Sequence, residues 1–323
     1  MYKLLILIPT LKRFRKDLIA ISPHFLTRLY FYVDYLFAFI IHGASPRDYT
    51  LCKLYKHSLY ERFSYLTMRR ASRIEKWFND SHYSGIYNRK HLFNAKFENF
   101  VTRDWIYTPD SSNDDIECFL NKHSLVIYKP INLSSGKGIK KINVNQIHNI
   151  KDFIIECKRD NILLEECIKQ AEFFNSLNPH SVNSIRIYTI LDKYGVPNVL
   201  AAGLKAGTTE SIVDNMHDNG VYYPLDPKTG VVKSLGMNIH GQSFLFHPNT
   251  GIKMLGLQVP QYNQLIKFVK DATHIVKECR YIGWDIAVTD DGFEMIEGNV
   301  TPYIADHQVY DNKGYYPLFL KYK

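Results

Sequence analysis

Two carboxylates and one amide within residues 283–299 have the side-chain types of a magnesium site: Asp285, Glu297 and Asn299. Mg²⁺ prefers hard oxygen ligands and is often bound beside nucleotide phosphates. The three residues lie on two alternating stretches, so a single β-hairpin would bring them to one face. Both carboxylates stand among apolar residues, and a buried carboxylate needs a charged partner. We therefore predict a metal site here; a solvated edge hairpin is the alternative.

The register of this hairpin follows from its loop. The residues Asp290-Asp-Gly292 predict a three-residue loop whose glycine is left-handed. Such a loop pairs Thr289 with Phe293, and counting back along both strands then pairs Asp285 with Glu297. The third ligand, two residues further on, shares that face.

A loop rich in glycine and serine between two predicted strands is the candidate phosphate site. Small residues let backbone N–H groups approach an anion closely, and Lys129 at the end of the preceding strand adds a positive charge. The loop lacks the spacing of a Walker A motif and a strand follows it, so an ordinary hairpin loop is the alternative. The residues of the candidate cradle are Ser134, Ser135, Gly136, Lys137 and Gly138.

Other polar residues interrupt apolar strands where a cleft would use them. The run Leu163-Leu-Glu-Glu-Cys-Ile168 brings Glu165 and Glu166 into an apolar strand, which suits contacts to an adenosine but also fits a strand end with exposed acids. Arg186 alternates with isoleucines and so faces away from them, either into a cleft or into solvent. The pair Asp214-Asn215 lies in a Gly-rich region and has the same two interpretations.

Several catalytic motifs are absent from the sequence. The 13 histidines form no H-E-x-x-H, the glycines form no G-x-S-x-G, and the five cysteines form no C-x-x-C. These absences argue against zinc hydrolysis, a serine nucleophile and a disulfide framework. An odd number of cysteines without such patterns predicts a reducing compartment, so the cytosol is the expected location.

The elements that must position these residues change along the chain. Residues 1–100 show apolar residues at helical spacing, with turn signals at Gly43-Ala-Ser-Pro46 and Ser84-Gly85. Later segments alternate with a period of two. The predicted strands are 125–129, 139–144, 161–165, 184–191, 198–205 and 281–288, and a helix is predicted at 146–159. Helices first and mixed elements later indicate an α+β protein.

Length and composition set the broad class. The chain has 323 residues, of which 46% are hydrophobic and 22% charged, and this excludes a disordered chain, a collagen-like fibre and a coiled coil. At about 150 residues per domain, the length predicts roughly two domains. The formal net charge of +8 favours an anionic partner such as a nucleotide, an acidic sugar, nucleic acid or a membrane surface.

The stretch from Leu29 to Ile41 is strongly apolar. It is only 13 residues long and contains Asp34, whereas a membrane-spanning helix needs about 20 apolar residues. A basic cluster precedes it at residues 12–16. Two interpretations remain open: a buried helix of the core, or a helix on a membrane surface that would place the chain at the inner face of the membrane.

Taken in order, these motifs resemble the ATP-grasp enzymes, and among them the sugar-transfer-associated ATP-grasp family, with similarity to alpha-L-glutamate ligases and teichuronic-acid-associated relatives. The resemblance extends from about residue 43 to about residue 302. Its most specific stretches are Tyr128-Lys-Pro130, Leu164-Glu-Glu-Cys-Ile168, Asn178-Pro-His-Ser-Val-Asn-Ser-Ile-Arg-Ile-Tyr-Thr189, Val213-Asp-Asn215, Gly283-Trp-Asp285 and Ile296-Glu-Gly-Asn299. It implies an ATP-grasp fold in which two α+β subdomains, at 99–169 and 170–323, grip ATP after a helical region at 1–98.

The resemblance also implies roles for particular residues. They are Lys90, Lys129, Glu165, Glu166 and Ile168 for ATP, Arg186, Lys205 and Asn215 for catalysis, and Asp285, Glu297 and Asn299 for Mg²⁺. Lys205 and Val221 depart from the family pattern, which often has arginine and glycine there. A lysine keeps the positive charge but loses the bidentate fork of arginine.

The implied reaction is ATP-dependent ligation of a carboxylate to an amine through an acyl phosphate, with Mg²⁺ and cations neutralising the transferred phosphoryl group. The resemblance sets this reaction in bacterial surface-polysaccharide synthesis, where an amino acid or amine would be attached to a sugar. The alternatives are a kinase with the same grip on ATP, a non-catalytic nucleotide-binding protein, and a glycosyltransferase, for which an early D-x-D is lacking. No nucleic-acid partner is expected.

Overall fold

The structure is a computed structural model that describes residues 2–133, 136–208 and 220–323. The chain divides into two compact units. The N-terminal unit comprises residues 1–79 and 303–323, and the central unit comprises residues 80–302. The three-part division at residues 98 and 169 stays a prediction.

Helices dominate the first hundred residues, as predicted, and strands dominate the middle of the chain. The α-helices are α1 (Tyr2–Ile21), α2 (Phe25–Phe37), α3 (Pro46–Leu51), α4 (Met68–Phe78), α5 (Ser84–Asn88), α6 (Lys90–Lys96), α7 (Asn113–Lys122), α8 (Ile150–Arg159), α9 (Glu172–Asn175), α10 (Tyr262–Ala272), α11 (His307–Asp311) and α12 (Tyr316–Leu320). The strands are β1 (Trp105–Tyr107), β2 (Leu125–Pro130), β3 (Lys140–Asn143), β4 (Ile162–Glu166), β5 (Ile185–Leu191), β6 (Pro197–Ala206), β7 (Val221–Leu225), β8 (Gly236–Met237), β9 (Ser243–Phe244), β10 (Tyr281–Thr289) and β11 (Gly292–Asn299).

The N-terminal unit folds around an apolar core supplied by its helices. Its buried residues include Phe14, Leu18, Phe31, Ala38, Tyr49, Leu54 and Tyr65. The predicted turn at residues 43–46 ends one helical segment and begins the next. Gly43 closes a π-helical turn (Ala38–His42) with a φ of +65°, and Ser45 caps α3 by accepting a hydrogen bond from the N–H of Asp48.

One face of α2 is held by the rest of the N-terminal unit. Phe31 is buried, and the carboxylate of Asp34 accepts hydrogen bonds from the Arg62 guanidinium at 2.8 and 2.9 Å and from the Tyr49 hydroxyl at 2.7 Å. These contacts explain why an acid interrupts the apolar stretch. By length and composition alone, Phe25–His42 is apolar enough to cross a membrane, yet only 22% of this segment is buried in the protein.

The first sheet of the central unit is antiparallel, with the described strands in the order β1-β4-β2-β3. Apolar side chains from α7 and α8 pack on it, and this cluster is formed by Ile116, Phe119, Leu120, Val126, Tyr128, Ile154, Ile162 and Leu164. Strand β4 is buried along four of its five residues, so the strand carries Glu165 into the interior.

The second sheet is also antiparallel, with the described strands in the order β11-β10-β5-β6-β7-β8-β9. Strands β10 and β5 lie inside the sheet and are almost continuously apolar, as expected when both faces are covered. The indole N–H of the fully buried Trp284 donates to the Thr189 hydroxyl at 2.8 Å, which satisfies the only polar atom of that side chain.

The hairpin of β10 and β11 differs from the predicted one in its loop. Thr289 pairs with Gly292 rather than with Phe293, so the predicted three-residue loop was wrong by one position. The glycine has a φ of +139°, which lets the chain turn within two residues. A β-bulge beside Asp285 then inserts one extra residue on β11 and restores the predicted pairing with Glu297.

The other predicted strands are observed with small shifts at their ends. The predicted helix at 146–159 is shorter, because a 3₁₀ turn (Val144–Gln146) comes first and Asn149 caps α8 by accepting from the N–H groups of Lys151 and Asp152. All five cysteines are free thiols, in agreement with the absence of a disulfide pattern.

Candidate active site

One cavity of the central unit brings together most of the residues that the sequence predicts for the site. Its volume is about 1070 Å³, and both sheets contribute to its lining. Thirteen predicted site residues lie in the described part of the chain. Twelve of them line the cavity, namely Lys90, Lys129, Gly136, Lys137, Glu165, Glu166, Ile168, Arg186, Lys205, Asp285, Glu297 and Asn299, and Gly138 does not. Three further predicted residues, Ser134, Ser135 and Asn215, lie outside the described residues.

Strand pairing places a row of charged side chains across the second sheet. Glu297 pairs with Asp285, and Asp285 pairs with Arg186, on the neighbouring strands β11, β10 and β5. Directly paired residues of antiparallel strands share a face, so the three side chains lie side by side. The row continues to Gly203 on β6, and Lys205, two residues along that strand, faces the same way.

Asp285 is held by two cations. Arg186 donates to its two carboxylate oxygens, with Nε 2.5 Å from Oδ1 and Nη2 2.6 Å from Oδ2, and the Lys205 ammonium lies 2.9 Å from Oδ2. Burial alone would raise the pKa of Asp285, but the two cations outweigh burial and hold the pKa well below its ordinary range. The carboxylate predicted as a metal ligand is therefore an ion-pair partner in this structure.

The depressed pKa of Asp285 makes a prediction about acid stability. A carboxylate whose folded pKa lies below its unfolded value stabilises the fold above the unfolded pKa of about 3.9, and this contribution is lost as pH falls through the folded pKa. In wild type we expect the free energy of unfolding to fall between pH 4 and pH 2 with a slope that is larger, by up to about 1.4 kcal/mol per pH unit, than in Asp285→Asn.

Denaturant unfolding at several pH values measures this slope. Asp291→Asn is the matched control, because Asp291 is an exposed acid in the loop of the same hairpin. It should retain the wild-type slope. Equal slopes in wild type and Asp285→Asn would contradict the assignment of a stabilising ion pair to Asp285.

Glu297 and Asn299 are the described residues whose donor atoms fit a divalent cation best. The amide of Asn299 donates to Glu297 Oε1 at 3.2 Å, and both residues line the cavity. Mg²⁺ commonly takes one or two protein oxygens and completes its octahedron with phosphates and water. Glu297 and Asn299 therefore offer enough oxygen ligands for Mg²⁺. Asp285 could bind the metal only by giving up its ion pair with Arg186 or Lys205.

A second group of possible metal ligands, Asp104, His123 and Glu166, lies beside the same cavity. Its central carboxylate is already occupied, because the Lys122 ammonium and the His123 ring both contact Asp104. The Lys122 ammonium and the His123 ring therefore take the place that a metal would have in this group.

The first sheet supplies the opposite wall of the cavity. The Lys129 ammonium pairs with the Glu165 carboxylate, to which Arg103 and Asn94 also donate. Burial alone would raise the pKa of Glu165, but Arg103 and Lys129 outweigh it and keep the pKa well below its ordinary value. With three donors bound, this carboxylate positions the surrounding cations, and its contact with adenosine stays a prediction.

Lys90 connects α6 to the candidate phosphate loop. Its ammonium donates to the backbone carbonyls of Leu133 at 2.9 Å and Pro130 at 3.4 Å, just before the segment that the structure does not describe. Burial lowers the pKa of Lys90, while the negative charge of Glu297 opposes this shift. The role of Lys90 near phosphates, which the resemblance implies, stays a prediction.

Sequence reasoning missed Arg103, which joins the two sheets. Its guanidinium donates to both oxygens of Glu165 at 3.0 Å and to Glu294 Oε1 at 2.6 Å, and its side chain is 3% exposed. The backbone N–H and hydroxyl of Thr102 also bind Glu294. A signal for this residue existed in the buried carboxylate of β4, which requires a cation, but the sequence does not say which one.

Sequence reasoning also missed an amide network behind the cavity. The buried Asn183 donates to the backbone carbonyls of Phe174 and Asn178 and to the side chain of Gln170, and it accepts from the N–H of Gly207. The network fixes the approach to β5 and the end of β6. Part of the most specific sequence motif thus has a structural role.

The departure from the family pattern at Val221 has a structural basis. This residue begins β7, pairs with Ala206 and is 1% exposed in the main core of the central unit. The valine side chain at this position packs in the core.

The cavity lining is positively charged although its unit is not. Residues 80–302 contain 23 lysines and arginines and 25 acidic residues, a formal net charge of −2. Among the described residues that line the cavity, the cations are Lys90, Lys122, Lys129, Lys137, Lys141, Lys169, Arg186 and Lys205, and the carboxylates are Glu165, Glu166, Asp285 and Glu297. This surplus of four positive charges favours a polyanionic ligand.

Comparison with known proteins agrees with the fold and with the motifs. The family model described as sugar-transfer associated ATP-grasp matches residues 96–321, which is 226 of the 323 residues. The chain belongs to the sugar-transfer associated ATP-grasp family. A comparison with curated protein sequences finds no match.

Several solved structures are similar at low sequence identity. The ATP-grasp ligase PsnB complexed with a phosphomimetic variant of its minimal precursor, Mg and ADP is 14% identical with a TM-score of 0.45, and the match covers 77% of this chain and 64% of that chain. The ADP complex of purK, N5-carboxyaminoimidazole ribonucleotide synthetase, is 10% identical with a TM-score of 0.49, and the match covers 80% of this chain and 58% of that chain. D-alanine–D-alanine ligase from Bacillus anthracis is 15% identical with a TM-score of 0.44, and the match covers 78% of this chain and 72% of that chain. The match thus spans less than two thirds of the first two structures.

Proposed function

We propose that this chain is an ATP-dependent ligase that joins a carboxylate to an amine through an acyl phosphate. The observation that carries the proposal is the cavity, in which eight cations face four carboxylates within a unit of net charge −2. Such a cleft attracts a polyanion and concentrates it at the site. Membership of an ATP-grasp family supports ATP as that polyanion, and the similar PsnB structure named above contains ADP and Mg.

The first step moves the γ-phosphoryl group of ATP to the carboxylate substrate. A carboxylate oxygen forms a bond to the γ-phosphorus, the bond from that phosphorus to the bridging oxygen breaks, and ADP leaves. In the second step the amine nitrogen attacks the acyl carbon, inorganic phosphate leaves and the nitrogen loses a proton. Neither step requires a nucleophile from the protein, in agreement with the absence of a nucleophile motif from the sequence.

The approach of two anions in the first step requires positive charge. Arg186 and Lys205 are held by Asp285 before any substrate arrives, so their orientation is not lost to thermal disorder. At about 4 Å and an effective dielectric near 20, each cation contributes on the order of 4 kcal/mol of attraction before desolvation. Asp285 offsets one of these two charges, so Lys129 and Lys90, which line the same cavity, are needed as well.

Glu297 and Asn299 would hold Mg²⁺, which when bound would neutralise and orient the phosphates of ATP. The role of the protein is to present one carboxylate and one amide oxygen at the edge of the cation row. Asn299 fixes the orientation of Glu297 by its hydrogen bond of 3.2 Å. Through this hydrogen bond Asn299 also has a positioning role, because it orients Glu297, the ligand that carries the negative charge.

The substrates are proposed from the family. Its description associates the fold with sugar transfer, which supports a sugar-linked carboxylate or a sugar amine as one partner and an amino acid or a simple amine as the other. The amide product would modify a sugar of a bacterial surface polysaccharide.

Trapping of the acyl phosphate tests the proposal. Purified protein with ATP and Mg²⁺ is screened against the common amino acids and uronic acids for release of ADP and free phosphate. Hydroxylamine should convert the intermediate of an active carboxylate into a hydroxamate without any amine substrate. We expect Arg186→Ala to lower the hydroxamate yield by at least about tenfold, because one cation of about 4 kcal/mol is lost from the site.

Two further variants serve as controls for the effect of Arg186→Ala on the hydroxamate yield. Arg186→Ala leaves the buried Asp285 with one cation fewer. The double variant Arg186→Ala/Asp285→Asn restores the net charge of the site, so it must still show the loss if the Arg186 guanidinium itself acts on the transferred phosphoryl group. Arg159→Ala removes an exposed arginine and should behave as wild type. ADP formed together with a phosphorylated product and no free phosphate would overturn the ligase in favour of a kinase.

A further inference from the structure

The outer face of α2 and of the π-helical turn after it is apolar and uncovered. Its side chains recur at helical spacing on the side opposite to Phe31 and Asp34. They are Phe25, Leu26, Leu29, Tyr30, Val33, Leu36, Phe37, Ile40 and Ile41, with exposures from 48% to 77%. A contiguous apolar face of this kind marks an interaction site rather than ordinary surface. We call these nine residues the apolar face.

Charged groups within this segment are turned away or occupied. Asp34 lies on the inner side and is paired with Arg62. At the beginning of the helix, Arg28 donates to the carbonyls of Ser22 and Pro23. The apolar face therefore carries no charged side chain among the described residues, which lowers the cost of removing it from water.

Positive charge surrounds the apolar face. Exposed basic residues stand on α1 at positions 12, 13, 15 and 16, and α1 packs against α2 through Phe14, whose ring lies 4.6 Å from that of Tyr35. At the other end of the segment, the Arg69 guanidinium donates to the carbonyl of Ile40 at 3.3 Å. Basic groups around an apolar helix are the arrangement that binds anionic headgroups.

The charge surplus of the whole chain resides in this unit. Residues 1–79 and 303–323 contain 17 lysines and arginines and seven acidic residues, a formal net charge of +10, compared with −2 for the central unit. The basic character of the sequence therefore belongs to the part of the chain that bears the apolar face and not to the part that bears the cavity.

We infer that the N-terminal unit docks on the surface of an anionic lipid bilayer, with the apolar face in the headgroup region and the basic residues on the lipid phosphates. The helix lies on the membrane and does not cross it, because Asp34 and Phe31 hold its inner side to the protein. A coiled-coil partner would need only a narrow apolar seam flanked by charges. The face is wider than such a seam, contains three aromatic rings and lacks flanking charges on the helix itself.

Vesicle flotation tests the inference with the full chain. Vesicles of phosphatidylcholine with phosphatidylglycerol should carry the protein upward in a gradient, and vesicles of phosphatidylcholine alone should carry much less. Each basic residue near an anionic surface contributes about fivefold in binding, so Lys12→Gln/Arg13→Gln/Arg15→Gln/Lys16→Gln should lower it by about 100-fold or more. High salt should also lower binding to the anionic vesicles, because it screens the attraction between the basic residues and the lipid phosphates.

The apolar face is tested by Leu29→Ser/Val33→Ser/Leu36→Ser, which should lower binding at least tenfold with an unchanged unfolding midpoint. The matched control is Tyr194→Ser/Val196→Ser/Phe246→Ser, which removes exposed apolar residues of the central unit and should float as wild type. Absence of flotation in wild type would overturn the inference. So would resistance to alkaline carbonate extraction, which indicates a crossing helix, or a dimer in solution that the first triple variant dissociates without any vesicle binding.

Discussion

Glu297→Gln is expected to lower ATP turnover by about 1,000-fold and to leave the protein folded. The substitution keeps the shape of the side chain but removes the negative charge that would hold Mg²⁺. Metal ions supply several kcal/mol of charge stabilisation in such reactions, and each 1.36 kcal/mol is tenfold in rate. Glu297 is only partly buried and its described hydrogen-bond donor is the Asn299 amide, so little of the folding free energy depends on it.

ADP release at saturating ATP, with the thermal unfolding midpoint recorded in parallel, measures both parts of this expectation. Asp291→Asn, an acid of the same hairpin outside the cavity, should retain wild-type turnover. Asn299→Ala should raise the Mg²⁺ concentration for half-maximal turnover by about 10-fold or more, because an orienting partner of a ligand is lost. Normal turnover of Glu297→Gln in Mg²⁺ would show that the metal lies elsewhere.

The pairing of Asp285 with Glu297 could be predicted from the sequence, but the two-residue loop and the β-bulge that produce it could not. A slip of one residue turns every side chain of a strand to the other face. The observed two-residue loop alone would therefore have turned Glu297 away from Asp285, and the bulge on β11 corrects the register. Bulges depend on local strain and on contacts across the sheet, and the sequence has no clear signal for them.

The residues that pair with the buried charges could not be predicted from the sequence. The requirement for a cation near Glu165 follows from burial of an acid in an apolar strand. Its identity does not follow, because Arg103 is 62 residues away in the sequence and meets it only in the fold. The same holds for Asp285, which a sequence shows as an acid beside a tryptophan and which the structure shows clamped by Arg186 and Lys205.

Some parts of the site can therefore be predicted from the local sequence pattern, and other parts depend on the tertiary fold. Strand period is local, and it correctly places the faces of β5 and β10. Lys90 lies on a helix with no period that distinguishes it from a surface lysine, and only the family resemblance singled it out. The cavity that it lines together with Lys129 and Glu297 exists only after the two sheets have formed.

Arg103→Met is expected to lower the free energy of unfolding by about 3–5 kcal/mol, because it removes one partner from a buried ionic group and leaves two carboxylates without it. Glu165 would keep Lys129 and Asn94, and Glu294 would keep Thr102, but neither set replaces a guanidinium that is 3% exposed. Denaturant unfolding of the central sheets measures the loss. Arg159→Met, which breaks a pair whose arginine side chain is 70% exposed, should change the same quantity by less than about 1 kcal/mol.

The triple variant Arg103→Met/Glu165→Gln/Glu294→Gln separates charge from shape at this position. Neutral replacements of a whole buried ionic group are often tolerated, so the triple variant should recover a large part of the stability that Arg103→Met loses. It should still turn over ATP more slowly than wild type, because Lys129 loses the carboxylate that fixes its ammonium at the cavity wall. Recovery of stability without recovery of turnover would assign the Arg103 group to positioning of the site. If Arg103→Met were as stable as wild type, the buried group would have no part in joining the two sheets.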